Sequence, residues 1–125
     1  MLNSINIMGR LCADPELRQT QSGIPVCSCR IAVERDYMTD GERETDFFDV
    51  VAWRGTAEFI CGYFGKGRMI ALDGRLQTRA WTDREGNNRI SVEIVAENAY
   101  FADSKPQGEA EKKGGKGSGR GRKAA

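Results

Sequence analysis

Apolar and polar residues alternate along four stretches of the chain, a pattern typical of β-strands with one buried face, and a fifth stretch is bulky on both sides. The predicted strands cover residues 5–11, about 26–35, 46–53, 68–81 and about 90–101. Four of them have one apolar side, which we expect to face a core. The residues on those sides are Ile5, Ile7, Leu11, Cys27, Cys29, Ile31, Val33, Ile70, Leu72, Leu76, Ala80, Ile90, Val92 and Ile94.

The third predicted strand is apolar on both sides. One side carries Phe47, Val51 and Trp53, and the other carries Phe48, Val50 and Ala52. A strand of this kind lies in the interior of a sheet or is covered by another subunit.

The period changes after the third strand, where Ala57, Ile60, Cys61 and Phe64 recur at the spacing of one helical face. Thr56 is a candidate N-cap, and residues 65–67 (Gly-Lys-Gly) end the predicted helix. Between the second and third strands, residues 36–45 are polar and charged around Gly41, which predicts a long, mobile hairpin loop.

Three strands, one short helix and two strands form the element order of the OB-fold, a five-stranded Greek-key barrel. An SH3-like barrel is the nearest alternative, but it has less use for a helix in the middle of the chain. We therefore expect an all-β OB-fold domain over residues 1–102. Residues 103–125 lack apolar periodicity and are rich in glycine, lysine and arginine, which predicts a flexible basic tail.

Charge divides between these two parts. The tail carries seven basic and three acidic side chains, a net charge of +4, whereas residues 1–102 carry twelve basic and fifteen acidic side chains, a net charge of −3. A polyanion must therefore be attracted by local positive charge, and between residues 54 and 89 seven basic residues do outnumber four acidic ones.

The composition argues against most catalytic and metal-binding functions. The chain has no histidine, and its four cysteines form no Cys-x-x-Cys pair, so we expect buried free thiols, no metal site and no cofactor. No stretch has the pattern of a signal peptide or a membrane span, which favours a cytoplasmic protein. An enzyme is the least expected class.

Aromatic and basic residues at strand edges and loops favour binding of single-stranded nucleic acid, whose bases stack on exposed rings while basic groups follow the phosphates. On the fourth strand, Arg75, Gln77, Arg79 and Trp81 share the side opposite the apolar residues. Any single aromatic is more often part of a core or an interface, and the case depends on the combination. The candidate stacking residues are Tyr37, Phe47, Trp53 and Trp81, and the candidate phosphate contacts are Arg54, Lys66, Arg75, Arg79, Arg84 and Arg89.

Four motifs resemble the bacterial single-stranded DNA-binding protein family. They are the pattern Asn-x-x-x-x-x-Gly-Arg-Leu-x-x-Asp-Pro-Glu-Leu-Arg over residues 3–18, Thr-Asp-Phe-Phe-Asp-Val-Val-Ala-Trp over 45–53, Tyr-Phe-Gly-Lys-Gly over 63–67, and Asp-Gly-Arg-Leu-Gln-Thr-Arg-Ala-Trp over 73–81. The resemblance implies an OB-fold, a homotetramer, and a role in replication, recombination or repair near the nucleoid. It also implies base stacking on Phe47, Trp53, Trp81 and Tyr37, and phosphate contacts from Lys66, Arg79 and Arg89.

The chain departs from this family at its C-terminal end. Family members commonly finish in an acidic tip with a terminal Pro-Phe that recruits replication enzymes, whereas this sequence finishes Arg-Gly-Arg-Lys-Ala-Ala. We therefore do not expect recruitment by that route, and we expect the basic tail to add affinity for phosphates that is independent of sequence.

Two other functions remain open at this point. An OB-fold RNA-binding protein has the same groove chemistry, because recognition of the ribose 2′-OH depends on positions that the sequence does not locate. A protein-binding adaptor could instead use Trp53 and Trp81 as interface anchors.

Overall fold

The computed structural model describes residues 1–103, so the predicted tail lies outside the described residues beyond Asp103. This part of the chain forms six β-strands and one α-helix. They are β1 (Ile5–Leu11), β2 (Glu16–Gln19), β3 (Pro25–Thr39), β4 (Glu42–Trp53), α1 (Arg54–Tyr63), β5 (Met69–Thr82) and β6 (Asn88–Phe101).

The sheet closes into a barrel. Its strand order is β1-β5-β6-β4-β3-β2, and β1 pairs additionally with β3, so five strands form a closed ring and β2 flanks β3. The β4–β6 pairing is parallel, and the other pairings are antiparallel. The helix lies in sequence between the third and fourth strands of the ring, which confirms the predicted OB-fold.

The inner faces of the strands and one face of α1 form the core. Ile31, Ile60, Ile70 and Ile94 are almost completely buried there, together with Cys27. All four cysteines are free, but only Cys27 is fully buried. The Sγ atoms of Cys27 and Cys61 lie 3.2 Å apart, and burial raises the pKa of the Cys61 thiol to about 12. Because the thiolate is the reactive form, a protonated thiol in this setting behaves as a small core residue.

The helix follows its predicted apolar stripe, but its ends differ from the prediction. Ala57 and Ile60 are buried, and Phe64 packs in the core just after the helix. The helix begins directly after Trp53, without a side-chain cap. Thr56 is not the N-cap, since its hydroxyl donates a hydrogen bond to the Glu97 carbonyl oxygen (3.0 Å) and so joins the helix to β6.

The predicted mobile loop over residues 36–45 is wrong, because β3 and β4 continue through it as a hairpin. Thr39 pairs with Glu42, and the connecting residues Asp40 and Gly41 have φ angles of 53° and 78°. Two successive residues with positive φ make the two-residue turn whose twist matches that of its strands, and Asp-Gly is a preferred sequence for it. The charged composition of this segment thus marks an exposed hairpin and not a long loop.

β5 and β6 extend beyond the barrel as a two-stranded arm, residues 76–92, which we call the β-arm. The prediction that its apolar residues face inward is wrong. Leu76, Ile90 and Val92 are 40%, 74% and 56% exposed, and Ala80 is exposed as well. The parallel pairing of β6 with β4 covers Glu93 to Ala96, so along the β-arm β6 pairs only with β5.

Candidate nucleic-acid interface

Strand register places a continuous row of polar side chains across the outer face of the barrel. Arg30 is the cross-strand partner of Asp49, Asp49 of Glu93, and Glu93 of Gln77. Below this row, Val26, Val51 and Val95 form a second, smaller buried cluster, separate from the main core. The outer face of the sheet is thus a groove with an apolar floor and polar sides. We call this surface the outer groove.

Three of the four predicted stacking residues lie on this outer face. Phe47 and Trp53 stand on the same side of β4, and Trp81 stands on the side of β5 that carries Gln77. Their side chains are 55%, 43% and 41% exposed. The sheet therefore holds three large aromatic rings partly open to solvent on one face.

Neighbouring side chains of the sheet contact two of these rings. The indole Nε1–H of Trp81 donates a hydrogen bond to the Ser91 hydroxyl (2.7 Å). The guanidinium of Arg30 lies 5.9 Å from the centroid of the Phe47 ring. The hydrogen bond restricts rotation of the Trp81 indole, and Arg30 is a cationic neighbour of the Phe47 ring.

Tyr37, the fourth predicted stacking residue, lies away from the groove. It stands near the tip of the β3–β4 hairpin with its ring largely exposed, and its hydroxyl accepts a weak hydrogen bond from Arg35 (3.4 Å).

The six predicted phosphate contacts divide into two groups. Arg75, Arg79 and Arg89 lie on the outer face of β5 and β6, and Arg89 is the cross-strand partner of Trp81. The other three predicted contacts lie at the edge of the outer face or away from this face. Arg54 follows Trp53 at the start of α1, Arg84 stands in the turn of the β-arm, and Lys66 stands in the loop after α1.

The arginines of the outer face are engaged by carboxylates. Arg79 lies 3.4 Å from Glu93, Arg75 lies 3.8 Å from Glu97, and Arg89 lies 2.9 Å from Asp83. The pKa of Asp83 lies below its ordinary value because this carboxylate accepts hydrogen bonds from the Asn87 backbone and from Arg89. The positive charge of the face is therefore partly neutralised before any ligand arrives.

Sequence reasoning missed two basic residues of the groove. Arg18 lies on β2 and donates a hydrogen bond to the Ser28 hydroxyl (2.9 Å), and both residues line the groove beside Trp53. Arg30 lies on the outer face of β3, where its position in the alternation already indicated exposure. The signal for Arg18 was weak, because β2 has only four residues and none of them is buried.

Residues 1–103 contain no group of three or more potential metal-ligating side chains. Within the same residues, no helix has the length and apolarity needed to cross a bilayer.

A closed OB barrel with exposed aromatic rings and arginines on its outer face defines the class of OB-fold nucleic-acid-binding proteins. Comparison with known families narrows this class. The single-strand binding protein family matches residues 2–102, and the chain belongs to that family.

Individual relatives agree with this assignment. The single-stranded DNA-binding protein of Caldanaerobacter subterraneus subsp. tengcongensis is 42% identical over 106 residues, which is 84% of this chain and 71% of that protein. The one from Halalkalibacterium halodurans is 42% identical over 102 residues, 81% of this chain and 61% of that protein. Single-stranded DNA-binding protein 2 of Listeria monocytogenes is 41% identical, covering 84% of this chain and 66% of that protein. The aligned part of this chain thus spans about two thirds of the length of these relatives.

Proposed function

We propose that this protein binds single-stranded DNA without sequence preference and protects it during replication, recombination or repair, by binding and not by catalysis. The observation that carries the proposal is the presence of Phe47, Trp53 and Trp81 on one outer face of the barrel, each about half exposed. Family membership and the names of the relatives support single-stranded DNA as the ligand.

In the proposed mechanism, bases stack on the three rings while the sugar-phosphate chain follows the basic residues. Each stacked base contributes about 1–3 kcal/mol to binding, and each ring accepts any base because every base has a π-face. Arg75, Arg79 and Arg89 contact phosphates along β5 and β6. Arg54, Arg84 and Lys66 extend this track, and Tyr37 adds a stacking surface on the β3–β4 hairpin.

Tryptophan fluorescence tests this mechanism directly. The chain has two tryptophans, Trp53 and Trp81, and both stand in the outer groove, so all indole emission reports on the proposed site. We expect strong quenching on titration with oligo(dT), and weaker binding as salt is raised. Trp53→Phe and Trp81→Phe should each retain part of the quenching, from the remaining indole. Unchanged emission at low salt contradicts the stacking mechanism.

Competition separates DNA from RNA and from duplex. Unlabelled oligo(dT), oligo(rU) and a duplex of equal length are added to the preformed complex of the protein with fluorescent oligo(dT). The proposal expects oligo(dT) to displace the probe at the lowest concentration and duplex at the highest, since duplex bases are not available for stacking. More effective displacement by oligo(rU) would favour an RNA-binding protein.

We further propose that the protein is a homotetramer that acts at the nucleoid. The exposed apolar side of the β-arm, with Leu76, Ile90 and Val92, supports burial against other copies of the chain. Sedimentation of the full chain with and without oligo(dT) tests this proposal. We expect about four times the chain mass of 13.8 kDa. A 13.8-kDa species at micromolar concentration contradicts it.

We propose finally that residues 1–102 form the binding domain and that the basic residues of 103–125 add a salt-sensitive contribution. In the full chain, replacing the seven lysines and arginines of the tail by glutamine should weaken oligo(dT) binding at low salt and reduce its salt dependence. Equal binding by this variant and the wild type at every salt concentration would remove the tail from the mechanism.

A further inference from the structure

Two carboxylates stand in the middle of the outer groove, on the path proposed for a polyanion. Asp49 on β4 and Glu93 on β6 are cross-strand neighbours in a parallel pairing, and both line the groove together with Trp53 and Arg79. Glu93 is well covered, with its side chain 12% exposed. Negative charge at this position opposes phosphate binding unless its partners change when the ligand arrives.

Each of these carboxylates holds an arginine of the same surface. Arg30 Nε lies 3.5 Å from Asp49 Oδ1, and Arg79 Nε lies 3.4 Å from Glu93 Oε2. The second oxygen of Glu93 accepts a hydrogen bond from Gln77 Nε2 (2.8 Å), which fixes the carboxylate in place. These arginines lie beside the rings proposed to stack bases of the DNA strand. Arg30 lies beside Phe47, and Arg79 lies on the same side of β5 as Trp81.

We propose that Asp49 and Glu93 act as built-in competitors for phosphate, which hold Arg30 and Arg79 in the free protein and release them to the DNA on binding. This inference rests on the proposed function, because it concerns the same groove. The carboxylates set the affinity for DNA, and the arginines are the groups that pass from carboxylate to phosphate. The groove then binds more weakly, and releases DNA more readily, than its arginines alone would allow.

The exchange has a measurable signature in salt dependence. A free arginine that contacts a phosphate of a single strand releases about 0.7 of a bound cation into solution. An arginine taken from a carboxylate releases less in net terms, because the freed carboxylate attracts a cation in its place. The plot of log affinity against log salt is therefore shallower than the number of phosphate contacts predicts, and removing a carboxylate should make it steeper.

Asp49→Asn and Glu93→Gln in the full chain test the proposal, with Glu58→Gln as the matched control. Glu58 is exposed on α1 and has no ion pair within residues 1–103, so its variant changes net charge equally without freeing an arginine. Affinity for oligo(dT) is measured by tryptophan quenching between about 50 and 200 mM salt. We expect Asp49→Asn and Glu93→Gln each to bind about two- to fivefold more tightly, the range of an exposed ion pair. Each should steepen the salt plot by up to about 0.7, while Glu58→Gln retains the wild-type slope.

Two outcomes overturn the proposal. The first is a pair of variants that match Glu58→Gln in both affinity and slope. The second is weaker binding, above all to oligo(dC), which would make the carboxylates acceptors for the exocyclic amino groups of bases. Thermal unfolding checks that each variant is folded, and Asp49→Asn, whose side chain is half exposed, decides the test if Glu93→Gln does not fold. Failure of the wild type itself to bind oligo(dT) would instead overturn the proposed function.

Discussion

The two halves of the β5–β6 hairpin share one alternating pattern and differ in what covers it. In the barrel half, Ile70, Leu72 and Ile94 are at most 3% exposed. In the β-arm, Leu76, Ile90 and Val92 continue the same alternation with 40–74% of their side chains exposed. Alternation thus shows which residues share a face, whereas burial of that face depends on how far the opposing layer extends. The barrel half packs against residues of β1, β3 and α1, whereas the β-arm lies beyond the β4–β6 pairing, which begins at Glu93.

The largest expected effect is a difference in the free energy of unfolding between a variant in the barrel half and one in the β-arm. Ile94→Ala removes a fully buried side chain from the core and should lower the free energy of unfolding by about 2–5 kcal/mol. Ile90→Ala makes the same chemical change four residues away, at a position that is exposed in the single chain. At protein concentrations low enough to dissociate the proposed homotetramer, it should change the free energy of unfolding by less than about 0.5 kcal/mol. Urea unfolding of both variants measures the difference. Equal losses under these dilute conditions would contradict the exposure of the β-arm in the single chain, whereas a loss for Ile90→Ala that grows with protein concentration would agree with burial against another copy.

A second prediction concerns the irregularity where the register of β5 and β6 shifts, between Asp73 and Gly74. A Cβ atom at Gly74 would collide with the backbone carbonyl of Val95. Because a backbone atom cannot move aside as a flexible side chain can, Gly74→Ala should lower the free energy of unfolding by about 1–3 kcal/mol or more. Gly62→Ala is the matched control, since its Cβ meets open space on α1. The free energy of unfolding of Gly62→Ala should rise by up to about 1 kcal/mol, because alanine has a higher helix propensity than glycine. Chemical unfolding compares the two, and a tolerated Gly74→Ala would mean that the strands can change register here.

Much of this fold could be predicted from sequence, because its main signals are local. The alternation of Cys27, Ile31 and Val33 and the helical spacing of Ala57 and Ile60 identify the core faces, and the element order identifies the barrel. β2 was missed because its four residues are all exposed and give no periodic signal. The sequence predicts a hairpin between β3 and β4 but a loop that is too long, because charged residues 36–45 lack an apolar alternation, although Asp40-Gly41 is itself a signal for a two-residue turn.

The candidate site was predictable to a smaller extent. Phe47 and Trp53 share a face by spacing alone, and the structure adds Trp81 to the same surface. The pairing of Arg30 with Asp49 and of Arg79 with Glu93 depends on the register between strands that are distant in sequence. Sequence can therefore suggest which groups are exposed, but the charge available to a ligand is known only once the strands are aligned.

The third prediction compares the two sides of the β-arm. Trp81→Ala removes a ring from the groove side and should weaken oligo(dT) binding by about 1–3 kcal/mol, with little change in unfolding. Ile90→Ala lies on the opposite side of the same arm and should leave the affinity unchanged. Fluorescence anisotropy of labelled oligo(dT) measures both. Equal affinity losses would mean that DNA wraps the whole arm, or that the arm acts through assembly.

The smallest expected effect is at the tip of the β-arm, where Asp83 organises the turn. Its Oδ1 accepts hydrogen bonds from the backbone N–H groups of Glu85 (3.0 Å) and Asn87 (2.8 Å), and its Oδ2 accepts one from Arg89 Nε (2.9 Å). These bonds favour the ionised form, so the pKa of Asp83 is lower in the folded chain than in the unfolded chain. The turn is therefore fully stabilised above the ordinary carboxyl pKa, and it loses this stabilisation as the pH falls through the lowered value.

Amide hydrogen exchange and NMR shifts at residues 85 and 87 follow this loss between neutral and acidic pH. In the wild type, the two amides should become less protected at acid pH, whereas the barrel amides of β5 keep their protection until the domain unfolds. Asp83→Asn keeps the size and one acceptor oxygen but cannot ionise, so its turn should be less protected at neutral pH and insensitive to acid. Protection that is independent of pH in the wild type would mean that strand pairing alone holds the tip. In that case the β-arm would open together with the barrel, because the β5–β6 pairing is continuous from one to the other.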